Sequence, residues 1–185
     1  MSDKTGINWT DATWPVVAGC EKISPACMNC YAIRDSWRLA HNPNPKVGGV
    51  YSGTVEKRRS GTLAWTGTVR TLPKRLDWPL HWRKPRRIFV ANMGDLFHES
   101  VPFEFIDKVF AVMALAPQHT FQVLTKRPER MREWYEWQDQ TEAGGVHQET
   151  QRLFPTGGAH FEAWPLPNVW VGVTVENQDA VDERI

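Results

Sequence analysis

Hydrophobic positions change period along this chain, and the changes mark its elements. Arg87–Asn92 (RIFVAN), Thr120–Thr125 (TFQVLT) and Asn168–Val175 (NVWVGVTV) are short apolar runs rich in β-branched and aromatic residues. That pattern predicts strands buried in a sheet. Between the first two runs, Ile106, Val109, Phe110 and Met113 recur at i, i+3, i+4 and i+7, which predicts a helix over Pro102–Ala116. Pro102 suits its first turn, Glu104 its positive end, and Pro117 its stop. Pro128–Gln138 predicts a second helix, and Asn177–Ile185 begins a third. Near the N-terminus, Thr13–Val17 predicts a strand. After a Ser24-Pro25 turn, Ala32, Ile33, Ser36, Trp37 and Ala40 fit a helix that starts near Met28. Strand and helix alternate, so the fold class is α/β, built from parallel βα units.

Two stretches interrupt this order. Residues 42–62 are dominated by turn formers and predict a loop, and Leu63–Thr71 predicts a hairpin or an edge strand. Pro73–Trp82 predicts a short helix interrupted at Pro79. Residues 139–167 predict an insertion without an element. The expected organisation is therefore one domain over residues 1–185, with a loop-rich basic segment at 42–87 and an insertion at 139–167. In parallel βα folds, ligands collect at the C-terminal ends of strands. Four such ends here turn polar: Gly19-Cys20, Asn92–Asp95, Thr125–Arg127 and Glu176-Asn177.

Composition adds bounds. The 185 residues are 41% hydrophobic and include ten Trp, enough for a substantial core. No apolar run reaches the length of a membrane span, and the polar N-terminus lacks a signal region. The expected compartment is the reducing cytoplasm. A net charge of +1 hides an asymmetry. Lys57–Arg87 holds ten basic residues against Asp77 alone, so this segment carries +9 and the remainder −8. Such a face suits phosphate groups, with Trp65, Trp78 and Trp82 interleaved as stacking surfaces for bases. A solvated loop that balances acidic helices reads the same way. Nucleic acid or a nucleotide enters as a candidate partner or substrate.

The chemistry concentrates in Cys20, Cys27 and Cys30, the only three cysteines, spaced C-x6-C-x2-C. An odd number argues against a closed disulfide framework. Thiolates crowded together favour zinc, copper(I) or an iron–sulfur cluster. Zinc and cubane sites both want four ligands. The sequence leaves two solutions: a fourth ligand of another type, with His41 or His98 as candidates for zinc, or an open metal position. Thr125-Lys126-Arg127 places two cations at a strand end before a helix N-terminus, a setting for an anion, although a solvated surface pair has the same pattern. His98 and Glu99 are candidates for proton transfer. The other histidines, His81, His119, His147 and His160, show no site spacing.

The run INWTDATWPVVAGCEKISPACMNCYA, with FVANMGDLFHESVP, FQVLTKRPERM and VWVGVTVENQ, resembles a phage and bacterial family of three-cysteine-motif proteins. That family is similar to a divergent branch of the radical S-adenosylmethionine (SAM) enzymes. Most of those have C-x3-C-x2-C with an aromatic residue before the last cysteine. Here the first gap is longer, Asn29 precedes Cys30, and Tyr31 follows it. The resemblance implies a partial (β/α) barrel in which Cys20, Cys27 and Cys30 bind three irons of a [4Fe–4S] cluster. The fourth iron would take SAM, for reductive cleavage to a 5′-deoxyadenosyl radical. It places Asn92 and Asp95 at the amino end of SAM, where a turn and a helix cap are the alternative. Glu176 and Asn177 fall to its ribose or adenine, with Asn177 equally suited to capping the last helix. The resembled barrel has more than four βα units, so the chain is expected to be truncated, or completed by a partner chain or homodimer. The rival expectation is a zinc-stabilised or metal-free phage module that binds nucleic acid or protein.

Overall fold

The computed structural model describes residues 5–140, 145–153, 155 and 163–185. From the N-terminus the chain runs through β1 (Ala12–Trp14), β2 (Val17–Gly19), a 3-10 turn at Pro25–Asn29, α1 (Tyr31–Ala40) and α2 (Pro45–Tyr51). Then come β3 (Val55–Lys57), β4 (Leu63–Trp65), β5 (Arg70–Thr71) and two 3-10 turns, Pro73–Arg75 and Trp78–His81. The second half holds β6 (Arg87–Val90), β7 (Met93–Gly94), α3 (Phe103–Ala114), β8 (Thr120–Thr125), α4 (Pro128–Gln140), α5 (Gly145–Leu153), β9 (Val169–Val173) and α6 (Gln178–Arg184).

The fold is mixed α/β. Its central sheet is parallel, in the order β1-β6-β8-β9, with Trp14, Val90, Val123 and Val171 in one row. Among the described residues the sheet is open, with β1 and β9 at its edges and no closed barrel. Two strand pairs continue past a kink. Pro15 interrupts β1, and Ala91, at φ 53°, turns the chain after β6. The continuations β2 and β7 pair in parallel, and β5 adds antiparallel to β2. β3 and β4 form a separate hairpin. No described helix is long and apolar enough to cross a membrane.

Residues alternate across the sheet because successive strand side chains point to opposite faces. One face meets the helices. There Trp14, Ile88, Phe121 and Val123 pack with Ile106, Phe110 and Met113 of α3 and with Trp134 of α4 in the main core. Trp134 is fully buried, its ring 4.3 Å from Phe110, and its indole N–H donates to Asp107 at 2.9 Å. A second core under α1 and α2 joins Ala18, Ile33, Tyr51, Val55, Trp65 and Met93. On the other face of the sheet, Phe89, Gln122 and Trp170 share a row, and Trp9 covers Phe89 at 4.8 Å. That face is left open for a site.

Several expectations need revision. The strand expected over Thr13–Val17 is two, because Pro15 cannot donate to a ladder. The helix expected from Met28 starts at Tyr31, after a 3-10 turn that holds Cys27. Residues 42–62 contain α2 and β3. Asn44 caps α2 by accepting the Lys46 N–H at 3.0 Å, with Pro45 opening the first turn. The helix expected over Pro73–Trp82 is two short 3-10 turns. The insertion at 139–167 holds the end of α4 and all of α5. Its residues 141–144, 154 and 156–162, His160 among them, lie outside the described residues.

Candidate functional site

Gly19 and Gly94 are partners in the β2–β7 register. Gly19 has φ +91°, and a Cβ there would collide with the carbonyl oxygen of Thr68. A Cβ on Gly94 would lie 2.8 Å from the carbonyl oxygen of Gly19 and 2.9 Å from Cγ1 of Val17. The bare backbones let the two strand ends approach. They deliver Cys20 and Asp95 side by side into one cavity of about 390 Å³.

The cavity collects the C-terminal ends of the parallel strands. Cys20 follows β2, Asn92 and Asp95 flank β7, Thr125, Lys126 and Arg127 end β8, and Thr174 follows β9. Cys27, in the 3-10 turn, and Cys30, at the start of α1, line the same space. Most of the remaining wall is apolar: Ile7, Trp9, Ile23, Trp65, Phe89 and Leu124.

Asp95 ties the strand ends together. One carboxylate oxygen accepts from the Phe97 N–H (3.0 Å) and the Thr125 hydroxyl (2.8 Å). The other accepts from the Lys126 N–H (3.2 Å) and Nη1 of Arg127 (3.2 Å). Nε of Arg127 also donates to both oxygens of Glu99 at 3.1 Å, and its Nη1 reaches Sγ of Cys20 at 3.8 Å. Nη2 of Arg127 is buried without a protein partner.

The thiols differ electrostatically. Burial pushes the Cys20 thiol up to about 11, although the Arg127 guanidinium pulls the other way. Burial also opposes ionisation of Cys27. There the Ser24 hydroxyl at 3.5 Å, the backbone of Ile23 and Ser24, and Lys126 outweigh it and hold the thiol below its ordinary range. Burial raises the Tyr31 phenol to about 12, and its hydroxyl donates to the Asn92 carbonyl at 2.8 Å.

Glu176 stands behind this wall. Nζ of Lys126 donates to it at 3.3 Å and Nη1 of Arg184 at 2.8 Å. The Ser24 hydroxyl, then Arg184 and Lys126, hold its carboxyl down to about 2. Asn177 caps α6, accepting the Ala180 N–H at 2.9 Å.

The structure thus brings Cys20, Cys27, Cys30, Asn92, Asp95, Thr125, Lys126 and Arg127 to one cavity. His98, Glu99, Glu176 and Asn177 stand outside it. His98 is buried, and its Nδ1 accepts the Ser100 N–H at 3.1 Å, so Nε2 carries the proton. Burial and then Arg127 lower its pKa, which keeps it neutral. His41 turns Nδ1 to the Trp37 carbonyl at 2.7 Å, away from the cysteine cavity. Among the described residues no three His, Cys, Asp or Glu side chains are grouped to hold a metal ion, and the three cysteines are free thiols. Trp65 and Trp82 are core residues rather than surfaces for bases. The apolar wall escapes sequence reasoning: Trp9 and Phe89 read as core, and only the register shows them facing away from the helices.

Fold and site define an open α/β protein whose cysteines line a cavity at the C-terminal ends of parallel strands. The chain belongs to the DUF5131 family, described as a protein of unknown function, whose model matches residues 4–185. No curated protein and no solved structure matches it.

Proposed function

We propose that this chain is a radical-SAM-like iron–sulfur enzyme with a partial βα barrel, in which Cys20, Cys27 and Cys30 would hold a [4Fe–4S] cluster. The observation that carries the reading is that every cysteine of the chain lines one cavity at the strand ends. The donor set suits the group: three soft thiols and no fourth protein ligand seated beside them match a cluster with one iron left open. When bound, such a cluster supplies one-electron reductive cleavage of SAM.

The chain's own residues then divide the work. Asp95 is a positioning residue, because its two oxygens already accept four hydrogen bonds, about the capacity of a carboxylate. Asn92 keeps its side-chain oxygen without a protein partner and is the better acceptor for an amino group. Lys126 and Arg127 supply positive charge against a carboxylate. Trp9, Phe89 and Leu124 exclude water from the reacting space.

The test is anaerobic reconstitution with iron and sulfide. Uptake of about four irons per chain, cluster absorbance, and release of 5′-deoxyadenosine from SAM under reduction are expected. Cys27→Ser should lose the iron. About one zinc per chain with no iron uptake would favour a zinc-stabilised binding module. Absence of iron uptake by the intact chain would end the enzymatic reading.

A further inference from the structure

A second cavity, of about 690 Å³, opens beyond the wall made by Tyr31 and Asn92, which both cavities share. It is lined by cations and flat rings: Arg38 of α1, Tyr51 at the end of α2, and Arg75 and Trp78 from the two 3-10 turns. Arg75 is its fixed point. The guanidinium carbon lies 5.1 Å from the Trp78 ring and 5.9 Å from the Tyr51 ring. Its Nη1 donates to the Pro15 carbonyl at 3.1 Å and to the Tyr51 hydroxyl at 3.4 Å.

These contacts orient the guanidinium without cancelling its charge. Among the described residues Arg75 makes no ion pair. The one acid in the wall, Asp35, lies 3.7 Å from Arg38, whose side chain is 72% exposed. A half-buried, oriented guanidinium without a counter-ion is a site for an oxyanion, which its planar fork can grip with two hydrogen bonds. The half-buried Trp78 and the exposed Tyr31 add faces or edges for a planar group. Lys74, exposed next to Arg75, extends the positive field of the segment that carries +9.

We propose that this cavity binds a nucleotide unit, with its phosphate on Arg75 and Arg38 and its base against the aromatic wall. A free mononucleotide and one unit of a single strand share this chemistry. The basic segment favours the strand, because its other cations lie where further phosphates would follow. Binding here does not need a metal on the cysteines, so the site stands or falls apart from the cluster.

The experiment is fluorescence anisotropy on the metal-free protein, with labelled single strands of about twelve nucleotides. AMP serves as competitor and salt is varied. Arg38→Glu is the first variant, since an exposed side chain can reverse charge without disturbing the core. Arg132→Glu on α4, also 72% exposed, is the control for general charge. Arg75→Gln is the second variant, with its fold checked by circular dichroism. Arg38→Glu should weaken binding about tenfold and lower the salt slope by about one, while Arg132→Glu stays within about twofold. Displacement by AMP identifies a mononucleotide site, and strand binding without AMP displacement identifies a strand site. The proposal is overturned if neither probe binds saturably, if Arg132→Glu matches Arg38→Glu, or if both cavity variants bind like the parent.

Discussion

Arg127 and Asp95 meet at 3.2 Å with side chains only 4% and 8% exposed, at the point where the ends of β7 and β8 converge. A buried pair of this kind is costly to break, because the surviving charge stays desolvated. Asp95→Ala removes four accepted hydrogen bonds, yet Glu99 remains on Arg127. The expected loss is about 3 kcal/mol, at the lower end for a broken buried pair. Asp95→Asn, which keeps the shape, should lose less. Urea unfolding of both variants measures this. A loss below about 1 kcal/mol for Asp95→Ala would mean that the pair does not organise the strand ends.

Gly19 holds a left-handed conformation immediately before Cys20, under the Thr68 carbonyl. Gly19→Ala adds backbone strain and a backbone collision that no side-chain rotation relieves. A loss of about 2 kcal/mol or more is expected, together with a displaced Cys20. Thermal unfolding gives the first. Faster alkylation of Cys20, followed by peptide mass, gives the second, and a variant as stable and as slowly alkylated as the parent would contradict it.

Asp107 titrates out of the ordinary range. It is 2% exposed between α3, α4 and α5, and burial raises its pKa from 3.8 to about 6, against the pull of Trp134 and Gln138. A carboxyl raised in the folded state favours folding in its neutral form. Its contribution is full below about pH 4 and is lost as pH rises through about 6. The two-unit shift corresponds to about 3 kcal/mol between pH 4 and pH 8. Asp107→Asn keeps an acceptor for the Trp134 indole and should remove most of that slope. Urea midpoints at pH 5 and pH 8 for both proteins decide the matter, and equal slopes would sink it.

Much of this architecture is legible in the chain. The runs TFQVLT and RIFVAN are strands because their β-branched and aromatic residues fit a buried parallel sheet, and β8 falls on Thr120–Thr125 as its pattern predicts. The polar strand ends are equally readable, since each leaves the core at the same side. What is hidden depends on distant contacts. Asp95 looks like a ligand in the sequence, and only the structure shows its oxygens engaged by β8 and Arg127. α2 is masked by turn residues that serve as its cap and first turn. Trp65 and Trp82 look like surface aromatics in a basic loop, but two separate cores absorb them.

Glu176 gives the last prediction. It gathers the Ser24 hydroxyl from the cysteine loop, Lys126 from the end of β8 and Arg184 from α6. Ser24 in turn contacts the Cys27 thiol at 3.5 Å, so the carboxylate latches the loop to the strand ends. Its depressed pKa makes the latch a property of the charged form. The stabilisation is present above the ordinary carboxylate range and lost as pH falls toward about 2. Glu176→Gln removes the charge but keeps the shape, leaving Lys126 and Arg184 without this partner. Hydrogen exchange over residues 20–30 should then quicken, and the start of α6 should fray. The parent protein should show the same loosening only at strongly acid pH. Unchanged exchange in the cysteine loop of Glu176→Gln at neutral pH would show that the loop is held by its own turn and not by this carboxylate.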